Sequence, residues 1–157
     1  MSAVHTEPTA AALVMRVANP ADLPAVLALY AQPGMDDETL SVAQAEFVLA
    51  EFSRYPSYRL FVACELDGAI VGTYALLIMT NLAHGGAPSA VVEDVVVMAG
   101  RQGQGIGRQM MEHAIAEARE AACYKLALSS NAKRVSAHAF YESLGFAQHG
   151  LSFVIEP

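Results

Sequence analysis

Residues 90–98 read AVVEDVVVM, and the nine that follow read AGRQGQGIG. β-Branched side chains at positions of both parities mark a strand covered on both faces, which requires helices on either side of a sheet. The glycines at 100, 103, 105 and 107 then form a turn. Beyond it Gly107, Met110, Met111, Ala114, Ile115 and Ala118 recur at helical spacing, so an amphipathic helix over residues 106–122 follows the turn directly. Strand, glycine-rich turn and helix in immediate succession belong to α/β folds that bind ligands where the strand ends. The two acids inside the strand, Glu93 and Asp94, interrupt an apolar run and need a chemical or structural reason.

The rest of the chain is consistent with that frame. Residues 1–12 mix small and polar residues without a period and are expected to form a flexible arm ahead of a single domain over 13–157. Residues 13–17 suit a strand, and Asn19-Pro20-Ala21-Asp22 supplies a cap, a first-turn proline and an acid for a helix ending near residue 31. Pro33-Gly34 breaks that helix, and a second is predicted over 39–54. A hairpin follows, with strands 59–65 and 70–79 joined at Asp67-Gly68. Past a loop at 81–88, the strand at 90–98 and the helix at 106–122, the pattern predicts a strand over 125–130, a helix over 135–144 and a last strand over 148–155. The order is β-α-α-β-β-β-α-β-α-β, a mixed α/β fold with a central mixed sheet flanked by helices.

Charge and composition narrow the function classes. Nine Lys and Arg against 16 Asp and Glu leave a net charge of −7, the wrong sign for nucleic acid or an anionic membrane surface. The longest apolar run, 69–79, is shorter than the roughly 20 residues a spanning helix needs. Cys64 and Cys123 fit no metal or disulfide spacing, so a reducing cytoplasm is expected and no metal site is predicted.

Two phosphate-binding patterns fail on the letters. A Walker loop starting at Gly100 needs Lys where Ile106 stands, and GxGxxG starting at Gly103 needs Gly where Arg108 stands. What remains is Gln102-Gly103-Gln104-Gly105-Ile106-Gly107 at a helix N-terminus, where free amides and roughly half a positive charge attract an anion. With EDVVV before it (93–97) and HAFYESLGF after it (138–146), the pattern resembles the Gcn5-related N-acetyltransferase (GNAT) superfamily, whose pyrophosphate loop reads Q/R-x-x-G-x-G/A. The resemblance covers about residues 90–146. Locally, IEDVVV-like, CYK (123–125) and FYE (140–142) strings look like glucosamine-6-phosphate N-acetyltransferases, and SSNAKRVSAHAFY looks like aminoalkylphosphonate N-acetyltransferases. Met98-Ala99-Gly100 departs from the Asp-Pro that often opens the turn.

The resemblance implies an acetyl-CoA-dependent N-acetyltransferase acting on a primary amine of a small molecule, through a ternary complex. Backbone amides of Gln102, Gly103, Gln104, Gly105, Gly107 and Arg108 would hold the pyrophosphate. Val95 and Val97 would bind the pantetheine arm by main chain, and Asn131 would lie where two strands part. Glu93 is the candidate base, directly or through water, because an alkylammonium with a pKa of about 10.4 has to lose a proton before attack. Tyr141 is the candidate acid for the departing thiolate. Each has a plainer reading: Tyr141 as a core aromatic, Glu93 as a paired acid at a sheet end. Asp94 is expected on the opposite strand face, in a structural or substrate-binding role, and His84 and His138 stay unassigned. Small phosphorylated or phosphonate amines are the acceptors the resemblance favours; a protein amine, or a non-catalytic acetyl-CoA-binding module, are the rival readings. A homodimer is expected, because the last strand would otherwise leave an open edge.

Overall fold

The computed structural model describes residues 11–157. Five strands form one sheet in the order β1 (Val14–Val17), β2 (Tyr58–Cys64), β3 (Ile70–Met79), β4 (Ser89–Val97) and β5 (Lys125–Leu128). The first three pairings are antiparallel and β4 pairs with β5 in parallel. A parallel neighbour needs a crossover, and helix α3 (Ile106–Glu120) supplies it. The fold is therefore the mixed α/β sheet expected, with α1 (Leu23–Tyr30), α2 (Val42–Phe52) and α4 (Val135–Ser143) completing the helices.

Each face of the sheet has its own core. On one, α3 buries Ile106, Met110, Met111, Ala114 and Ala118 against Phe61, Tyr74, Leu76 and Val92, and Phe140 and Tyr141 of α4, with Leu144 just past its end, pack against this cluster. Gly72 of β3 makes room for α3: a Cβ there would stand 2.6 Å from the Met110 sulfur. On the other face, Val26 of α1 packs on Leu60, Val62 and Ala75, with Leu49 and Phe52 of α2 at the margin.

Local chemistry accounts for the helix ends. Asn19 accepts from the Ala21 amide while Asp22 accepts from the Asn19 amide, and Asp22, itself buried, pairs with Arg16 of β1 at 2.6 Å. Ser41 and Gln44 cap α2 reciprocally, which starts the helix at Val42 rather than Thr39. Helix α4 ends as a Schellman turn: Gly145 has φ +92°, the Phe146 amide donates to the Tyr141 carbonyl at 3.1 Å, and the Phe146 ring meets Tyr141 edge-on at 5.8 Å. The glycine and second phenylalanine of FYESLGF thus fold the chain back onto Tyr141.

Two expectations change. The strand at 148–155 is absent: residues 147–157 join no ladder, and Leu151, Phe153, Val154 and Ile155 are exposed. β-Propensity is realised only where a neighbouring strand supplies hydrogen bonds and a face to cover, and residues 147–157 pair with no strand among the described residues. The alternation that set Asp94 opposite Glu93 also fails. Thr73 pairs with Val96 but Ala75 with Glu93, so β4 carries one extra residue, a bulge at which Asp94 takes φ +53°. Most of the expected N-terminal arm lies outside the described residues. Its last part is tied to α3, where the Gln109 side chain donates to the Ala11 carbonyl and accepts from the Leu13 amide.

Candidate active site

The parting of β4 from β5 creates the site. Their ladder ends at Val92 and Leu128, while β4 runs on to Val97, so its outer edge from Glu93 onward has no partner strand. Open α/β sheets bind ligands beyond the carboxyl ends of their parallel strands, and α3 begins only nine residues after Val97. Val95 and Val97 turn their side chains toward the α3 core and leave main-chain groups along that edge. The Val97 carbonyl accepts from the Gln32 side-chain amide at 3.1 Å, and the same side chain accepts from the Ala99 amide at 2.5 Å, so α1's end pins the entry to the turn. A Met-Ala-Gly entry is thus held by a side chain from elsewhere in the chain.

The turn itself is built on left-handed backbone. Gly100, Gly103 and Gly105 have φ of +80°, +76° and +80°, a region costing other residues roughly 1–2 kcal/mol. Gly105 is the N-cap of α3, and the first helical bond runs from Gln109 to its carbonyl, which leaves the Ile106, Gly107 and Arg108 amides ahead of the ladder. Gln104 braces the turn, accepting from Arg101 Nε at 2.9 Å, and Arg101 is ion-paired with Glu65. Gln102 and Gly103 are exposed on its crest. Gly107 does something different from its neighbours: a Cβ there would stand 3.2 Å from Phe140 and 3.7 Å from Val97, so it permits α3, α4 and β4 to meet. Arg108 is exposed, within 3.8 Å of Glu112 and 3.4 Å of Ser143.

On the far side of the gap, Asn131 accepts the Lys133 amide at 2.9 Å in an Asx turn, and His138 donates to its carbonyl. Nearby on the chain leaving β5, the Ser130 hydroxyl is buried with no partner among the described residues. An orphaned hydroxyl, an unpaired strand edge and a left-handed glycine turn at a helix N-terminus fit a long ligand with amide-like groups and a terminal phosphate. Tyr141 is half-buried beside Phe140, and burial holds its phenol above the usual tyrosine value. Its hydroxyl has no hydrogen bond among the described residues, which removes the carbonyl partner that a purely structural tyrosine would have. His84 stacks on Tyr124 at 4.0 Å, at the opposite ends of β4 and β5 from the glycine turn.

The bulge brings Glu93 and Asp94 to the face covered by α1 and α2. Asp94 lines a cavity of about 420 Å³ there, together with Tyr30, Tyr58 and residues of the loop before α2. Burial, then the charge of Asp36, raise the Asp94 carboxyl above its ordinary range. Burial and the Asp94 charge likewise raise the phenols of Tyr30 and Tyr58. The sequence reading gave Asp94 a structural or substrate-binding role on the other face and left Tyr30 and Tyr58 without one. A lone Asp in a strand carries no sign of a bulge, and Tyr30 of α1 and Tyr58 of β2 share a cavity only once α1 packs on the sheet.

Comparisons with known proteins agree with this architecture. Residues 25–146 match the family described as "Acetyltransferase (GNAT) family". The aminoglycoside N(6')-acetyltransferase type 1 of Stenotrophomonas maltophilia is 32% identical over 88% of this chain and 89% of that protein. The glucosamine 6-phosphate N-acetyltransferase of Trypanosoma brucei brucei is 37% identical over 82 residues; the chain spans about half of that relative, 54%. A solved structure from Agrobacterium tumefaciens is 40% identical with a TM-score of 0.85 over 92% of this chain and 99% of that one. A Trypanosoma brucei acetyltransferase structure reaches 0.80 at 28% identity, covering 93% and 100%. With the family matched across most of its length and its glycine turn seated between a parted strand pair and a helix N-terminus, this chain belongs to the acetyltransferase (GNAT) family.

Proposed function

We propose that the protein moves the acetyl group of acetyl-CoA to a primary amine of a small molecule, by direct attack in a ternary complex, with residues 13–157 acting as one acetyltransferase domain. The observation that carries this reading is the free edge of β4 beyond Val92, which leads to left-handed glycines and the unpaired amides of α3. Amides of the stretch Gln102, Gly103, Gln104, Gly105, Gly107 and Arg108 hold the pyrophosphate in this reading. Val95 and Val97 bind the pantetheine, and Ser130 and Asn131 face it from the parted strand. The thioester supplies an activated acetyl group.

The protein's own groups handle the protons. Asp94, in the cavity wall, accepts the proton of the incoming ammonium, and Glu93 beside it relays that proton through water. A carboxylate raised above its usual range is the better base. A main-chain amide near Val95 stabilises the oxyanion, a contribution of about 3 kcal/mol in comparable acyl transfers. Tyr141, kept protonated by burial, returns a proton to the thiolate. Burial also raises the Cys123 thiol, and Cys64 is buried. Neither suits an acyl-enzyme, and two free thiols suit a reducing cytoplasm.

The test is free-thiol release measured against both substrates. Coenzyme A is expected only when acetyl-CoA and an amine are present together, with initial-rate lines that intersect. Parallel lines would replace direct attack by an acyl-enzyme. Tight acetyl-CoA binding with no amine-dependent release would make the protein a sensor.

A further inference from the structure

The cavity beside Asp94 carries a charge pattern of its own. Most of its lining is apolar, with Leu27, Leu49 and Phe52 among it, and its charged groups are three carboxylates, Asp36, Glu38 and Asp94; Tyr30 and Tyr58 also face it, and no Lys, Arg or His is among the described residues lining it. Asp94 comes from the β4 bulge, whereas Asp36 and Glu38 come from the loop between α1 and α2. The acids thus reach the cavity from two separate segments of the chain. Tyr58 stacks on Phe52 at 4.0 Å, with Tyr55 edge-on at 5.8 Å, so one wall is a fixed aromatic surface.

A phosphate or phosphonate entering this space meets three like charges and no donor cation. An ammonium meets carboxylates and the negative faces of tyrosine rings, both of which attract it. One ammonium facing Asp94 leaves Asp36 and Glu38 uncompensated; a second, farther along the same molecule, compensates them. Resting on the acetyl-transfer reading above, we infer that the acceptor is a small polycation, with at least two ammonium groups and no anionic group: one amine is acetylated at Asp94 while another is held by Asp36 and Glu38. That class departs from the phosphorylated and phosphonate amines expected from the local sequence strings. Burial foremost, and then a neighbouring carboxylate, raises Asp94, Tyr30 and Tyr58, in keeping with acids that share one cavity.

The experiment uses the whole chain, coenzyme A or acetyl-CoA, and four probes: α,ω-diaminoalkanes of three to six carbons, spermidine, n-alkylamines of matching length, and 2-aminoethylphosphonate. Calorimetric titration into the protein–coenzyme A complex reads binding, and thiol release reads turnover. Diamines or spermidine should bind about tenfold or more tightly than the matching monoamine, an advantage that shrinks as salt rises, and the phosphonate should bind most weakly. Asp36→Asn with Glu38→Gln should bring the diamine-to-monoamine ratio close to one; both residues are exposed, and circular dichroism verifies folding. Equal or tighter binding of monoamine or phosphonate, a ratio untouched by the double variant, or no binding by any probe at millimolar concentration would overturn the inference. Selective diamine binding without thiol release would uphold the polycation site and overturn the transferase reading, and with it the acetylation at Asp94.

Discussion

Asp94 combines three properties: a left-handed backbone, a place in a cavity wall and a carboxyl held above its ordinary range. Because its folded-state pKa lies above the unfolded one, the folded state binds the extra proton between those two values. Stability therefore falls as pH rises through that window, and the penalty is fully present at neutral pH. Asp94→Asn keeps a residue that tolerates positive φ and removes the charge. It should raise the melting temperature at pH 7 and have little effect below the ordinary carboxylate range. Turnover should drop by about 10²-fold or more, as for loss of a general base. A melting temperature lowered at pH 7 would contradict the sign. Tyr141→Phe tests the acid: with no hydrogen bond to lose, stability should change little while kcat falls about 10²-fold and acetyl-CoA affinity is retained. Unchanged kcat would remove the hydroxyl from the reaction.

At the level of elements, the start of α3 joins fold to chemistry. Its buried stripe anchors the helix on β3 and β4 through Met110, Met111 and Ala114, which fixes where the first-turn amides point. Gly105 sets their approach with φ +80°. Valine there is strained by its branched Cβ as well as by the left-handed backbone. Gly105→Val should abolish coenzyme A binding by calorimetry while the cooperative thermal transition, carried by the stripe, persists. Wild-type affinity in that variant would show that the turn does not hold the ligand.

For the whole molecule, the open question is what covers the C-terminal segment. Leu151, Phe153, Val154 and Ile155 are 85 to 94% exposed, and β5 has a ladder on its β4 side only. Unpaired strand edges and exposed apolar runs invite pairing with another chain. We propose a homodimer in which this segment of each copy lies against the other. Sedimentation at tens of micromolar should give twice the chain mass, and Phe153→Glu with Ile155→Glu should give the monomer. A wild-type monomer would refute the assembly.

Much of this was readable in the letters, because it rests on local chemistry. The parities of 90–98, the glycines at 103 and 105, the stripe on α3 and the Asn19 cap depend on neighbours within a few positions. They located the sheet and the turn, on which the proposed cofactor side of the site rests. The acceptor side was different. The bulge that turns Asp94 into the α1–α2 cavity depends on how β4 registers against Thr73 and Ala75, and the cavity's charge depends on a loop at 36–38 arriving opposite it. Gly107 reads as one more loop glycine, yet its need is set by Phe140, thirty-three positions away. The segment at 148–155 has the residues of a strand, but a strand exists only where another edge receives it. Short-range periodicity encodes elements; register, cavities and edges arise from pairings between distant parts of the chain.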